Sequence, residues 1–212
     1  MKACFLSALC VSLTLGTITT ANADTPAKSD GPARAEVVPA LQKGGYILFI
    51  RHPKTNADQA DIDPLHIDNV KAQRQLSDEG RKQAKDLGAA LRALKIPVGT
   101  VLSSKFWRAQ EAATLLAVGK VQASIELSEG GLVVSPNENQ RRAQALKKLL
   151  ATAPPAGQNV VIMSHKPNLQ DAAGKDLGDV AEGEVVIFQP LGADKSKVMA
   201  RVPAALWSTW TR

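Results

Sequence analysis

Two hydrophobic runs in this chain each end on a histidine. One is Tyr46-Ile47-Leu48-Phe49-Ile50-Arg51-His52, and the other is Val160-Val161-Ile162-Met163-Ser164-His165. Runs of this length and character read as buried parallel strands. Open α/β sheets bind ligands at the carboxyl edge of such strands, so both imidazoles are expected in one pocket if the strands are neighbours. Arg51 adds a planar donor fork suited to phosphate oxygens. A neutral histidine beside it is a competent nucleophile. Arg108 falls in the first turn of an expected helix after the short strand Thr100–Ser103. Helix starts attract anions, so a basic residue there points to an anionic ligand. His52, Arg51, Arg108 and His165 are therefore candidates for chemistry on a phosphoryl group. Plainer readings stay open for each: a polar strand end, a surface arginine, a satisfied core histidine. His66 stands among Asp61, Asp63 and Asp68, but that spacing fits no closed metal site.

Elements that would position these groups follow in order. Gly44-Gly45 turns the chain into the first strand, and residues 53–74 read as a loop over the sheet edge with short helical pieces. Ser77 caps a helix to about Leu94, with Asp78 and Glu79 in its first turn and Ala84, Leu87, Leu91 and Leu94 at helical spacing. A second helix runs from Phe106 to about Val118, and a third from Glu138 to Leu150, capped by Ser135 or Asn137. Residues 122–136 read as a loop or weak strand. A helix begins near Asn168, with Gly174 as its break. Late strands at Glu184–Phe188 and Lys197–Arg201 form a Gly-containing hairpin. Strands alternating with helices predict an α/β fold, a three-layer α/β/α sandwich with a mainly parallel central sheet. No glycine fingerprint follows the first strand, and no GKS or GKT phosphate loop is present.

Lys2, the apolar stretch from Ala3 to Leu15 and the small-x-small Ala21-Asn22-Ala23 read as a signal peptide spanning residues 1–23. The apolar part is too short to span a membrane as a helix. The expectation is an exported chain, periplasmic or secreted, with no membrane span after cleavage. Cys4 and Cys10 both lie in that segment, so the mature chain holds no cysteine and relies on its core. Residues 24–43 read as a flexible lead, and 44–212 as one domain. Net charge is +6, without a long basic block, and aromatic content is 4%. That argues against nucleic-acid binding and for small anionic ligands.

Taken together, the motifs resemble the histidine phosphatase superfamily, the phosphoglycerate-mutase-like fold. Arg51-His52-Pro53 with Thr55 stands where the family has Arg-His-Gly. Gln73 to Arg81 and Ala84 resembles its helix opening. Ser103-Ser104 with Arg108-Ala109 and Glu111-Ala112-Ala113 resembles the segment of its second arginine. Ser164 to Leu169 with Gly174 resembles the second-histidine segment, and Gly183-Glu184-Val185-Val186 the late strand. The resemblance covers roughly Tyr46 to Pro190. It implies a phosphatase in which His52 becomes phosphohistidine, with a backbone carbonyl fixing its tautomer. Arg51, Arg108 and His165 bind the phosphoryl oxygens. Neither metal nor other cofactor is implied, and the partner is a small phosphorylated substrate.

Two positions depart from the family pattern. Pro53 replaces the usual glycine, removing an N–H and fixing φ near −65°, which bears on rate and substrate fit. The general acid is less plainly marked. Leu127-Ser128-Glu129-Gly130 partly matches the family pattern and makes Glu129 the candidate; Glu126 and Asp171 are alternatives. Lys54, Arg74, Lys105 and Lys166 near these motifs either hold a second anionic group or are solvated charges. The second reading, from another functional class, is a phosphate- or polyanion-binding protein with little or no turnover.

Overall fold

The structure, a computed structural model, describes Met1, residues 34–130 and residues 133–212. The signal-peptide reading and the first part of the lead lie outside the described residues.

Among the described residues, one sheet of six strands organises the fold. Its strands are β1 (Ile47–Arg51), β2 (Val98–Ser104), β3 (Val121–Ser124), β4 (Asn159–Ser164), β5 (Val185–Gly192) and β6 (Lys195–Val202), in the order β3-β2-β4-β1-β5-β6. The pairs β3/β2, β2/β4 and β4/β1 are parallel. The β5–β6 hairpin is antiparallel within itself and to β1. This is the expected mainly parallel sheet with a late hairpin at one edge. Residues 122–136, left between loop and weak strand, supply edge strand β3 and a turn of 3₁₀ helix at Ile125–Leu127.

Helices cover both faces. They are α1 (Arg34–Lys43), α2 (Asp78–Ala93), α3 (Trp107–Leu116), α4 (Pro136–Ala151), α5 (Lys166–Ala173) and α6 (Ala204–Thr209). Alternation along the strands sorts the core into two layers. Leu48 and Ile50 of β1 pack with Leu87 and Leu91 of α2, Leu116 of α3 and Trp207 of α6. Ile47 and Phe49 face the other way, with Leu146 and Leu150 of α4 and Leu169 of α5. Ser77 caps α2 by accepting the Gly80 N–H at 3.1 Å, and Ser135 caps α4 by accepting that of Glu138 at 3.2 Å.

One boundary is corrected. The lead assigned to residues 24–43 is helical from Arg34, and α1 buries Val37, Val38 and Leu41 in the first core layer. Three apolar residues on one helical face outweigh the Ala-, Pro- and charge-rich composition that suggested flexibility. Pro39 lies inside that helix. At the other end, Trp207 is fully buried and Trp210 nearly so, so α6 docks on the domain. Among the described residues no helix is long and apolar enough to cross a membrane.

Candidate active site

Strand register brings the two histidines together. β1 and β4 are parallel neighbours with Arg51 opposite Ser164. The next residue in each chain direction is His52 or His165, and both leave the sheet at the same edge. The His52 N–H donates to the Ser164 carbonyl at 2.9 Å, which extends the ladder to the point of departure. The ring centroids are 5.2 Å apart at 62°.

His52 is buried, and its Nδ1 lies 2.9 Å from the Pro53 carbonyl oxygen. A carbonyl only accepts, so Nδ1 carries the proton and the Nε2 lone pair is free. Proline at position 53 removes an N–H but leaves the carbonyl that orients the ring. Burial, then the proximity of His165 and Arg108, holds the His52 pKa well below the ordinary imidazole value.

His165 forms the N-terminal boundary of α5 in extended conformation. Its Nε2 lies 2.7 Å from Ser104 Oγ. Ser104 donates to Ser128 Oγ at 3.2 Å, and Ser128 donates to the Ser124 carbonyl at 3.2 Å. That relay leaves Ser104 Oγ as acceptor for His165 Nε2–H, so the neutral ring has its lone pair at Nδ1. Glu129 Oε1 approaches Nδ1 to 3.2 Å, yet Nδ1 has no hydrogen-bond partner. Burial first, then Arg108, Arg74 and Arg51, lowers the His165 pKa well below its ordinary value. The approach is therefore a close contact of a neutral ring with the Glu129 carboxyl group, not an ion pair.

Arg108 enters from the first turn of α3 and is completely buried. Its guanidinium stacks 4.3 Å above the Phe106 ring, and Phe106 also packs edge-on against His165. Nη2 donates to Glu129 Oε1, and Nη1 to Asp61 Oδ1 at 3.0 Å. Arg51 Nη1 donates to the Val180 carbonyl at 2.8 Å, and Nη2 lies 3.8 Å from Glu182. The Nε atoms of Arg51 and Arg108 are buried without partners.

Glu129 is carried by a braced loop. The carbonyl of the preceding Ser128 accepts from Arg142 Nη1 at 3.0 Å and Asn168 Nδ2 at 3.2 Å, and Ser164 Oγ donates to the Leu127 carbonyl at 2.7 Å. The runner-up Glu126 is instead held by Arg141 at 2.7 and 2.8 Å. The structure thus brings His52, Arg51, Arg108, His165 and Glu129 to one place.

Of the four basic residues with two readings, Arg74 belongs with this cluster. Its charge acts on His165, and its Nη1 donates to the buried Thr55 Oγ1 at 3.0 Å. Lys54 pairs with Glu79 at 2.6 Å on the surface, and Lys105 is exposed. Residues that sequence reasoning did not place here are Asp61, Ser104, Ser128 and Glu182. The Ser103-Ser104 pair was noted only as a motif, and Asp61 only as part of an acidic loop. His66 bonds Asp63 at 2.7 Å in the open, and among the described residues no group of three or more potential ligands could hold a metal ion.

The family model for the histidine phosphatase superfamily (branch 1) matches residues 47–132. No curated protein matches the chain. Among solved structures, the protein histidine phosphatase SixA in complex with tungstate is similar at 17% identity and TM-score 0.53, covering 76% of this chain and 98% of that one. A mycobacterial glucosyl-3-phosphoglycerate phosphatase is similar at 14% identity and TM-score 0.52, with 73% and 97% covered. Phosphoserine phosphatase from Entamoeba histolytica, in complex with 3-phosphoglyceric acid, is similar at 13% identity and TM-score 0.50, with 74% and 96% covered. The chain thus carries the fold of the histidine phosphatases and, over residues 47–132, the sequence pattern of branch 1 of that superfamily.

Proposed function

We propose that this protein is a metal-independent phosphatase acting through a phosphohistidine intermediate. The observation that carries the reading is the setting of His52: a buried neutral ring with its Nδ1 proton held by Pro53, beside His165, Arg51 and Arg108. Nε2 attacks phosphorus in line with the ester oxygen. The bond from phosphorus to that oxygen breaks, and Glu129 gives the departing alkoxide its proton. Arg51, Arg74 and Arg108 stabilise charge on the phosphoryl oxygens. His165 Nδ1 serves the same end once it takes a proton. Water, giving a proton to the Glu129 carboxylate, then attacks the phosphohistidine; the bond from Nε2 to phosphorus breaks, inorganic phosphate leaves, and the neutral ring and the protonated acid are restored.

Buried nitrogens without partners support this reading. Arg51 Nε, Arg108 Nε and His165 Nδ1 are unsatisfied, and buried polar atoms in a protein are normally bonded. Substrate is a small phosphomonoester or a phosphorylated side chain.

The test is a panel of phosphomonoesters given to the protein and to His52→Ala, with rapid quench to trap acid-labile phosphoenzyme. Turnover and label are expected in the wild type, insensitive to chelator, and both vanish in H52A. Phosphate binding without any label or turnover in the wild type would favour the non-catalytic binding protein instead.

A further inference from the structure

Two of the five N–H groups on the pocket's central guanidinium are already bonded to carboxylates. Arg108 Nη2 is bonded to Glu129, which the proposed mechanism uses, but Nη1 is bonded at 3.0 Å to Asp61, which it does not. Asp61 comes from the loop between β1 and α2. The same Oδ1 accepts the Arg74 N–H at 3.0 Å, and the neighbouring Ile62 N–H donates to the Ala72 carbonyl at 2.9 Å. The loop is folded back on itself with this carboxylate turned inward onto a fully buried arginine.

Charge makes the contact consequential. Arg51, Arg74 and Arg108 face Asp61, Glu129 and Glu182. With Glu129 carrying the proton that it donates, the three cations face two anions, Asp61 and Glu182, and burial keeps both imidazoles neutral. A phosphoryl dianion therefore meets arginines whose charge is largely offset before it arrives. Its oxygens need the N–H groups of Arg108, and a carboxylate on the same guanidinium opposes them by like-charge repulsion.

Resting on the phosphatase reading, we infer that Asp61 is a specificity-determining residue that competes with the phosphoryl group for Arg108. A ligand that draws on Nη1 meets this carboxylate already bonded to the same nitrogen, and shares the nitrogen with it or displaces it. Inorganic phosphate, with no contacts beyond the phosphoryl subsite, is held weakly and released. An ester with further contacts outside the subsite has additional binding energy to complete the displacement.

Calorimetric titration with inorganic phosphate tests this on the wild type, Asp61→Asn and Asp61→Ala, alongside phosphate inhibition of turnover. Asn keeps a neutral acceptor for the Arg74 N–H. D61N is expected to bind phosphate about tenfold more tightly, with product inhibition strengthened in step, and D61A should move the same way. Unchanged or weaker phosphate binding in both variants would overturn the inference, making Asp61 a buttress for Arg108, while leaving the phosphatase reading intact. Failure of both variants to fold would also overturn it. If the wild type and both variants all bind no phosphate, the reading of the pocket itself falls.

Discussion

Glu129 and His52 show how far residue types alone carry the chemistry. A nucleophilic imidazole needs one nitrogen protonated and anchored, and the Pro53 carbonyl does this at 2.9 Å. A leaving alkoxide needs an acid, while p-nitrophenolate leaves with little help. Glu129→Gln is therefore expected to slow hydrolysis of alkyl phosphates roughly 100-fold and of p-nitrophenyl phosphate by less than about tenfold. Steady-state kinetics on both substrates checks this, and equal losses would remove Glu129 from the acid role. The two histidines were legible because each terminates an apolar run; whether the runs are neighbours was open in sequence, and the β1–β4 pairing answers it. Ser104, Ser128 and Asp61 were not. A hydroxyl relay and a loop carboxylate depend on where the chain passes, and no local pattern encodes that path. Arg74 had two readings in sequence because a charge beside a motif looks the same whether it points in or out; its bond to buried Thr55 decides the matter.

At the scale of elements, α2 sets the backbone around the nucleophile. Ser77 N–H donates to the Lys54 carbonyl at 3.0 Å, and a Cβ on Gly80 would lie 2.0 Å from that same oxygen. The helix start thus presses directly on the residue after Pro53. Alanine would favour the helix by roughly 1 kcal/mol, but no substituent fits without moving Lys54, and overpacking costs about 1–3 kcal/mol. The clash is expected to win. Gly80→Ala should lower the melting temperature and, by shifting the Pro53 carbonyl that holds His52, also lower turnover. A variant with raised stability and full activity would show that the contact is soft. Helix α2 was legible from spacing and its Ser77 cap, α3 from its packing face alone and α4 from its cap. α1 was not, because its three apolar residues are embedded among Ala, Pro and charge, and its burial depends on a sheet face built by distant segments.

Over the whole molecule, burying two neutral imidazoles links the pocket to stability. Both have pKa values well below the ordinary 6.5, chiefly through desolvation. The unfolded chain therefore binds protons near pH 6.5 that the folded chain refuses. Stability from this source is complete above that pH and is lost as pH falls toward the depressed folded values. Each ring contributes up to about 1.4 kcal/mol per pH unit in that window, and the adjacent rings titrate as a coupled pair. Other shifted groups act elsewhere or oppositely. Glu138, held near 2 by Arg141 and Arg142, matters only below about pH 4.5. His66 is raised by Asp63, so its contribution is present below 6.5 and lost as pH rises. Urea denaturation should show the midpoint falling between pH 7 and 5, and the His52→Gln/His165→Gln double variant should flatten that fall. Inorganic phosphate should flatten it too, because an oxyanion against His165 favours the protonated ring in the folded state. A wild-type profile that is flat between pH 7 and 5 would mean that water reaches these rings freely, and with it that the pocket does not hold His52 neutral by burial.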